Sequence, residues 1–205
     1  MLKKIFFAIV LLFSFAFAES EPVKAPVAKF ELKTIDGTTI SVEGTKNGLN
    51  IPDAKGKITF IELWGTHCPP CLMSIPHYIN LKNEYKDKIK IYAIESQGTP
   101  ANYLKEFVKS KGINYTVLTQ RENLPFVRYF AARAGWRGAI PYLVILNQKG
   151  NVVDIKRGML PEKYVKSVVE YLLNPPKKEL SDSNNTKENN TTKDSNSTKD
   201  NNSSK

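Results

Sequence analysis

The sequence predicts an α/β domain in which helices flank a central mixed β-sheet. Short runs rich in β-branched and aromatic residues alternate with longer segments of helical periodicity between residues 58 and 173. Strand–helix–strand connections favour parallel neighbours, whereas the tight turn at residues 148–150 makes the last two strands antiparallel. About 150 residues suffice for one such domain with a sizeable core.

The chain begins with a predicted secretory signal peptide, residues 1–18. Lys3 and Lys4 precede an apolar run over residues 5–17, and small residues end the segment. An uncleaved anchor is the alternative, but the run is shorter than the roughly 20 residues that span a bilayer. Residues 19–27 are predicted to form a linker. Export to an oxidising compartment, the periplasm, is expected.

Residues 28–174 hold the predicted domain. It opens with a β-hairpin at 29–33 and 38–42, joined by an Asp36-Gly37 turn, and a buried strand at 58–63 follows. The later elements are a helix to about residue 87 kinked at Pro76, a strand at 88–95, a helix capped by Thr99 and Pro100 and closed by Gly112, a strand at 114–119, a helix at 124–134, strands at 142–147 and 151–155, and a helix at 161–173.

The residues Cys68-Pro69-Pro70-Cys71 sit where the first long helix begins, directly after a buried strand. Unpaired N–H groups and the helix dipole favour a thiolate there, and the first cysteine of such a pair is the usual nucleophile. Cys68 is therefore the predicted nucleophile and Cys71 the resolving thiol. This spacing lets Cys71 attack the Cys68 sulfur and release a mixed disulfide, which is disulfide-exchange chemistry.

Other interpretations of the cysteine pair are less favoured. A structural zinc site takes four protein ligands, and the chain offers only His67 and His77 beside its two cysteines. Covalent haem attachment needs a His after the second cysteine, where Leu72 stands. A purely structural disulfide over so short a span would constrain little of the unfolded chain. No metal or cofactor is expected.

Several residues around the pair resemble thioredoxin-fold thiol–disulfide oxidoreductases. Such proteins have an aromatic residue four before the first cysteine, matched by Trp64, and often a buried carboxylate six before it, matched by Glu62. Pro76 matches a helix-kinking proline, and Pro141 matches the cis-proline beside the disulfide. The resemblance covers residues 28–173 and implies a thioredoxin fold. The added N-terminal hairpin is similar to that of the TlpA, ResA and CcmG-like branch.

The resemblance implies roles for individual residues. Glu62 would be the buried base that takes the proton from Cys71. His67 departs from the family, which most often has Trp there, and this changes the shape and charge of the substrate-facing rim. The residues implied to contact the client are Trp64, His67, Ile140 and Pro141.

Reduction is the favoured direction of electron flow. Ile140 before the predicted cis-proline is typical of reducing thioredoxins, and Pro69 and Pro70 supply no side-chain donor to a thiolate. The resemblance then implies disulfide-containing client proteins, an apocytochrome c among them, and a membrane electron donor of DsbD type. A general thiol oxidase or isomerase is the alternative within the family. A client-binding chaperone without redox activity is the alternative outside it.

The charge of the chain gives little support to nucleic-acid binding. The formal net charge is +10, and loss of Lys3 and Lys4 with the signal peptide lowers it to +8. The basic residues are scattered rather than clustered, so a weak preference for acidic partners or membrane surface is all that they indicate.

The C-terminal segment, residues 175–205, is predicted to be disordered because it is rich in Asn, Ser, Thr and Lys and lacks aromatic residues. It contains four matches to Asp/Glu-x-Asn-x-Ser/Thr, which resembles the extended bacterial acceptor pattern for asparagine glycosylation. Chance matches are common in so Asn-rich a stretch, but four acids at the same offset favour acceptor sites. The candidate acceptors are Asn184, Asn190, Asn196 and Asn202.

Overall fold

The computed structural model describes residues 27–176. The predicted signal peptide, most of the predicted linker and the tail from residue 177 onward lie outside the described residues, as do the four candidate glycosylation sites. The described chain forms the predicted α/β arrangement, in which a small N-terminal sheet precedes a larger central one.

The N-terminal sheet has three antiparallel strands rather than the predicted two. These are β1 (Lys29–Lys33), β2 (Thr39–Gly44) and β3 (Leu49–Asn50). The hairpin turn contains Gly37, whose φ of 93° suits a residue without a side chain. The third strand was missed because it is only two residues long, too short to show an alternating pattern.

The central sheet has five strands in the spatial order β6-β5-β4-β7-β8. They are β4 (Ile58–Trp64), β5 (Ile89–Glu95), β6 (Thr116–Thr119), β7 (Tyr142–Leu146) and β8 (Val152–Arg157). The first three run parallel, and β7 and β8 are antiparallel to their neighbours. The prediction of a mixed sheet is therefore confirmed.

Four α-helices pack on this sheet, namely α1 (Pro69–Tyr85), α2 (Ala101–Ser110), α3 (Leu124–Ala134) and α4 (Glu162–Leu173). Residues of α1 and α4 bury one face together with Phe60, Ile91 and Ile145. The N-terminal sheet and α3 cover the opposite face, where Ile61 and Leu63 lie. The sheet is thus the middle of three layers.

The central strand β4 determines which side chains lie beneath α1. All seven of its residues are buried, since strands flank it on both sides and both of its faces are covered. Successive side chains of a strand point to opposite faces. Glu62 and Trp64 therefore share the face of Phe60, which is the α1 face, and Ile61 and Leu63 take the other.

The predicted cap of α2 is wrong, and the end of α1 differs slightly. The helix α1 ends at Tyr85, two residues before the predicted end near residue 87, because Lys86 adopts a positive φ of 44° and a 3₁₀ turn follows. Thr99 does not cap α2: Pro100 is the capping residue, and the Thr99 hydroxyl donates to Glu95 instead. The other predicted bounds agree with the structure to within two residues.

Candidate active site

The cysteine pair lies at the N-terminus of α1. Cys68 is the N-cap residue in extended conformation (φ −118°), and its sulfur accepts the backbone N–H of Cys71 at 3.3 Å. Pro69 and Pro70 occupy the first turn, where a missing N–H costs no intrahelical hydrogen bond. The two cysteines form a disulfide with a Cα–Cα distance of 5.2 Å. The local sequence thus places both sulfurs at the positive end of the helix dipole.

The two cysteine residues differ in exposure to solvent. Cys68 is 6 % exposed and Cys71 only 1 %, since Cys71 lies inside the first turn and faces the core. An incoming disulfide or thiol therefore reaches Cys68 first. This difference agrees with Cys68 as the predicted nucleophile and Cys71 as the predicted resolving thiol.

Glu62 is a buried carboxyl on the α1 face of β4. It is 3 % exposed, and its Oε1 atom has no hydrogen-bond partner among residues 27–176. Burial raises the pKa of this carboxyl to about 8, an effect that a hydrogen bond from Tyr78 partly offsets. A group with a pKa close to ambient pH can both give and take a proton.

Glu62 and Cys71 both lie on the side of α1 that faces the sheet, at different turns of the helix. Tyr78, which contacts the Glu62 carboxyl, follows Cys71 by seven residues, or about two helical turns. Residues at this spacing share a helix face, and both side chains are buried against the sheet. Glu62 therefore lies beneath the same face of α1 that carries the resolving thiol.

The predicted client-binding residues lie in different environments. The Ile140–Pro141 peptide bond is cis, as predicted, and Ile140 packs partly buried against the cluster that contains both cysteines. His67 is exposed at the rim. Trp64 is only 2 % exposed, and its ring packs on Phe107 of α2 at 5.9 Å between centroids. Trp64 thus packs against the two cysteines on the interior side and is not part of the exposed rim.

Sequence reasoning missed the segment after β5, which packs on the residues before Cys68. The Gln97 Oε1 atom accepts the backbone N–H of His67 at 2.8 Å, and the Thr66 and Thr99 hydroxyls are 2.7 Å apart. Glu95, at the end of β5, is wholly buried. The only signal of this segment in the sequence was a glutamate at the end of a predicted buried strand. The sequence did not show which residues that glutamate contacts.

Residues 27–176 contain neither a metal-binding cluster nor a membrane-spanning helix. No cluster of three or more His, Cys, Asp or Glu residues is arranged to hold a metal ion there. None of the described helices is both long and apolar enough to cross a bilayer.

Comparison with known proteins decides the family. The Redoxin family model matches residues 23–173, which is most of the chain. The chain belongs to the Redoxin family. This Redoxin member is 25 % identical over 144 residues to the thiol-disulfide oxidoreductase ResA of Halalkalibacterium halodurans, a match that covers 70 % of the chain and 73 % of that relative. It is 23 % identical over 156 residues to sporulation thiol-disulfide oxidoreductase A of Bacillus subtilis, covering 75 % and 84 %.

Solved structures show the same fold. A thioredoxin-family thiol:disulfide interchange protein of Chlorobium tepidum superposes with a TM-score of 0.61 at 22 % identity, covering 76 % of this chain and all of that one. StoA of Bacillus subtilis gives a TM-score of 0.52 at 22 % identity, covering 70 % and 98 %. The predicted thioredoxin fold and its ResA and CcmG-like branch are thus confirmed. This Redoxin member is a thiol–disulfide oxidoreductase, and its clients are disulfide-containing proteins.

Proposed function

We propose that this oxidoreductase is an exported reductant that opens disulfides in client proteins outside the cytosol. The observation that carries the proposal is the buried Glu62 carboxyl under the Cys71 face of α1, with its pKa raised to about 8. A reductant must deprotonate its resolving thiol once the mixed disulfide has formed. Glu62 is a base suited to that step near neutral pH.

The proposed cycle begins with both cysteines reduced. The Cys68 thiolate attacks one sulfur of the client disulfide, and the other client sulfur leaves and takes up a proton. Glu62 then accepts the proton of Cys71, whose sulfur attacks Cys68 and expels the second client sulfur as a thiolate. That thiolate takes up a proton from solvent, and Glu62 returns its proton to solvent, which offsets the one taken up and resets the base. The client gains two electrons and two protons, and the protein is left with the Cys68–Cys71 disulfide.

The residues beside the cysteines favour reduction over oxidation. Strong oxidases stabilise the thiolate of the first cysteine, often with a His between the two cysteines. Pro69 and Pro70 have no side-chain donor to offer, and within residues 27–176 only the backbone N–H of Cys71 donates to the Cys68 sulfur. His67 precedes the pair rather than lying within it. The thiolate therefore has few stabilising contacts, which keeps the dithiol reducing.

The branch resemblance supports one client and one donor. An apocytochrome c is the proposed client, because its haem-binding cysteines must be reduced before haem attachment. Each turnover leaves the Cys68–Cys71 disulfide, so a reductant working in an oxidising compartment needs an electron source. A membrane protein of DsbD type is the proposed donor.

Export and glycosylation are proposed from residues outside the described range. The apolar run after Lys3 and Lys4 supports cleavage after Ala18 and a periplasmic location. The repeated acidic residue two positions before each acceptor supports glycan attachment at Asn184, Asn190, Asn196 and Asn202. The N-terminal sequence and intact mass of the mature protein from its native host test both. A chain that begins at Met1 contradicts cleavage, and a mass equal to that of the bare polypeptide contradicts glycosylation.

Trapping of mixed disulfides tests the reductant role and identifies the client. Cys71→Ser leaves Cys68 free to attack but removes the resolving thiol, so clients should accumulate on Cys68. Cys68→Ser is the matched control and should trap little. Recovery of apocytochromes c supports the proposed client, and recovery of other exported proteins alone contradicts it.

The reduction potential of the Cys68–Cys71 couple decides the direction of electron flow. A value near that of thioredoxin, about −270 mV, supports a reductant. A value near that of DsbA, about −120 mV, supports the oxidase alternative instead.

A further inference from the structure

A wholly buried carboxylate outside the cysteine mechanism ends the strand β5. Glu95 pairs with Trp64 across the β4–β5 ladder, so it lies beside the end of the strand that feeds the cysteines. Its Oε1 accepts the Gln97 backbone N–H at 3.0 Å and the Thr99 hydroxyl at 2.8 Å, and its Oε2 accepts the Thr99 backbone N–H at 3.0 Å. All three contacts donate hydrogen bonds to the carboxylate.

The hydrogen bond between the Thr66 and Thr99 hydroxyls can have only one direction. The Thr99 hydroxyl has one proton, and it is used on Glu95. The Thr66 and Thr99 hydroxyl oxygens are 2.7 Å apart, so one of them donates to the other. Since Thr99 has no proton left, Thr66 is the donor and Thr99 the acceptor.

The direction of the Thr66–Thr99 hydrogen bond also determines which nitrogen of the His67 ring carries a proton. The Thr66 oxygen lies 3.0 Å from His67 Nδ1, and its only proton is already directed at Thr99. Thr66 can therefore only accept from the ring, which requires a proton on Nδ1. A neutral imidazole with Nδ1–H carries its free lone pair on Nε2.

We propose that Glu95 is a positioning residue, which acts through Thr99 and Thr66 to hold His67 as the Nδ1–H tautomer and so presents Nε2 as a hydrogen-bond acceptor to the client. This rests on the proposed function of the cysteine pair. The client segment beside Cys68 then offers a donor to His67, such as a backbone N–H next to its own cysteine.

The surface around His67 has room for such a contact. His67, Thr99, Pro100 and Tyr103 line an open cleft of about 400 Å³ together with residues 97 and 98. Tyr103 is half exposed and forms one wall. The backbone N–H of His67 donates to Gln97, and its ring Nδ1 is hydrogen-bonded to Thr66, so both the main chain and the ring of His67 are held in place. An anchored ring loses little entropy when it binds a client.

The tautomer can be observed directly by ¹⁵N NMR of the histidine ring nitrogens at a pH where the ring is neutral. In the wild-type protein, His67 should show a protonated Nδ1 and an unprotonated Nε2. Thr99→Val removes the acceptor of the Thr66 proton, so that proton should turn to Nδ1 and drive the ring to the Nε2–H form. Thr99→Ser keeps the hydroxyl and should restore the wild-type signature.

Thr59→Val is the matched control for this substitution. Thr59 is also a buried threonine, 2 % exposed, but it lies at the other end of β4, and its hydroxyl donates to the Lys57 carbonyl rather than to Thr99, Thr66 or His67. It should leave the His67 signals unchanged. An Nε2–H tautomer in the wild-type protein, or an unchanged tautomer in Thr99→Val, overturns the proposal.

Client kinetics test the contact at Nε2. With a peptide that contains one internal disulfide, Thr99→Val should raise KM about 2- to 10-fold while kcat changes little, as expected for one lost hydrogen bond. The same peptide N-methylated beside its cysteine lacks the donor, so wild type and variant should then agree. Equal KM values for the unmethylated peptide overturn the client contact. A wild-type protein that reduces no disulfide contradicts the proposed function instead, and the NMR result stands apart from it.

Discussion

The backbone N–H of His67 donates to the Gln97 Oε1 atom at 2.8 Å, which ties the residue before the nucleophilic cysteine to the segment after β5. Gly65 lies directly beneath this contact. A Cβ atom at Gly65 would overlap the Gln97 side chain at its Oε1, Cδ and Cγ atoms. The missing side chain of Gly65 is therefore what lets Gln97 reach the chain before Cys68.

Gly65→Ala should displace Gln97 and release the His67 N–H. The expected loss is about 0.5–1.5 kcal/mol in the free energy of unfolding, the usual net contribution of one hydrogen bond, because the exposed Gln97 side chain can move aside. In a Gln97→Ala background the obstacle is gone, so the same substitution should cost much less. Denaturant unfolding of the four proteins in this cycle measures the coupling. An equal cost of Gly65→Ala in both backgrounds would show that Gln97 is not what requires glycine.

Burial of Glu62 should make stability depend on pH. Its pKa is about 8 in the folded protein against 4.5 normally, so folding favours the protonated carboxyl. The stability it contributes is fully present below about pH 4.5 and is lost as the pH rises through about 8, at up to about 1.4 kcal/mol per unit.

The substitution Glu62→Gln isolates this pH dependence, because the amide does not titrate. The free energy of unfolding of the wild type minus that of the variant should fall between about pH 5 and 8 and then level off. Urea unfolding of both oxidised proteins at several pH values measures the difference. A constant difference over that range would mean that Glu62 titrates normally.

Asn123 should hold the N-terminal sheet to the central domain. Its side chain accepts the Lys33 N–H at 2.8 Å and donates to the Lys33 and Thr119 carbonyls at 2.9 and 2.8 Å, and the residue is buried. Asn123→Ala leaves these backbone groups without partners. We expect the free energy of unfolding to fall by about 2–4 kcal/mol. Relative to the wild type, amide exchange should accelerate more in β1 than in β4.

Asn114→Ala serves as the control for that loss. Asn114 is exposed, and its side chain donates to Asn83 and to the Ile79 carbonyl. Its removal should cost about 0.5 kcal/mol or less, as is usual for surface sites. If both variants lose the same stability, Asn123 is not an anchor of the hairpin.

The sequence predicted the strand β4 and the start of α1 well because their signals are local. A buried β-branched run and two prolines beside two cysteines specify a strand and a helix N-terminus without any knowledge of neighbours. The resemblance implied that Glu62 is a buried base for Cys71, and the structure shows that it is buried, on the α1 face of β4. The two-residue strand β3 carries no such local pattern, so it could not be predicted.

The rim of the site depends on contacts that no local pattern encodes. Trp64 was expected to touch the client, but α2 covers it through Phe107, and the sequence did not show where α2 packs. Likewise the segment from Glu95 to Thr99 reaches Thr66 and His67 only because β4 and β5 pair with Trp64 opposite Glu95. Strand register is a property of the assembled sheet, so this half of the site had to come from the structure.

The role of Glu62 in the reaction can be separated from its effect on stability. If Glu62 takes the proton of Cys71, Glu62→Gln should slow resolution of the mixed disulfide by about tenfold or more near neutral pH. The first attack by Cys68 needs no base beneath the helix, so its rate should be nearly unchanged. Single-turnover kinetics with a model disulfide resolve the two steps.

The pH profile of the resolution step distinguishes a base from a merely structural carboxyl. Because the Glu62 pKa is raised to about 8, its ionised form increases as the pH rises through that value, and the wild-type rate should rise along with it. Glu62→Gln should lose this rise and keep only the dependence that ionisation of Cys71 itself imposes. Glu106→Gln changes an exposed glutamate on α2 and should reproduce the wild-type profile. Identical resolution rates and pH profiles for wild type and Glu62→Gln would assign the proton of Cys71 to another acceptor and leave Glu62 with only a structural role.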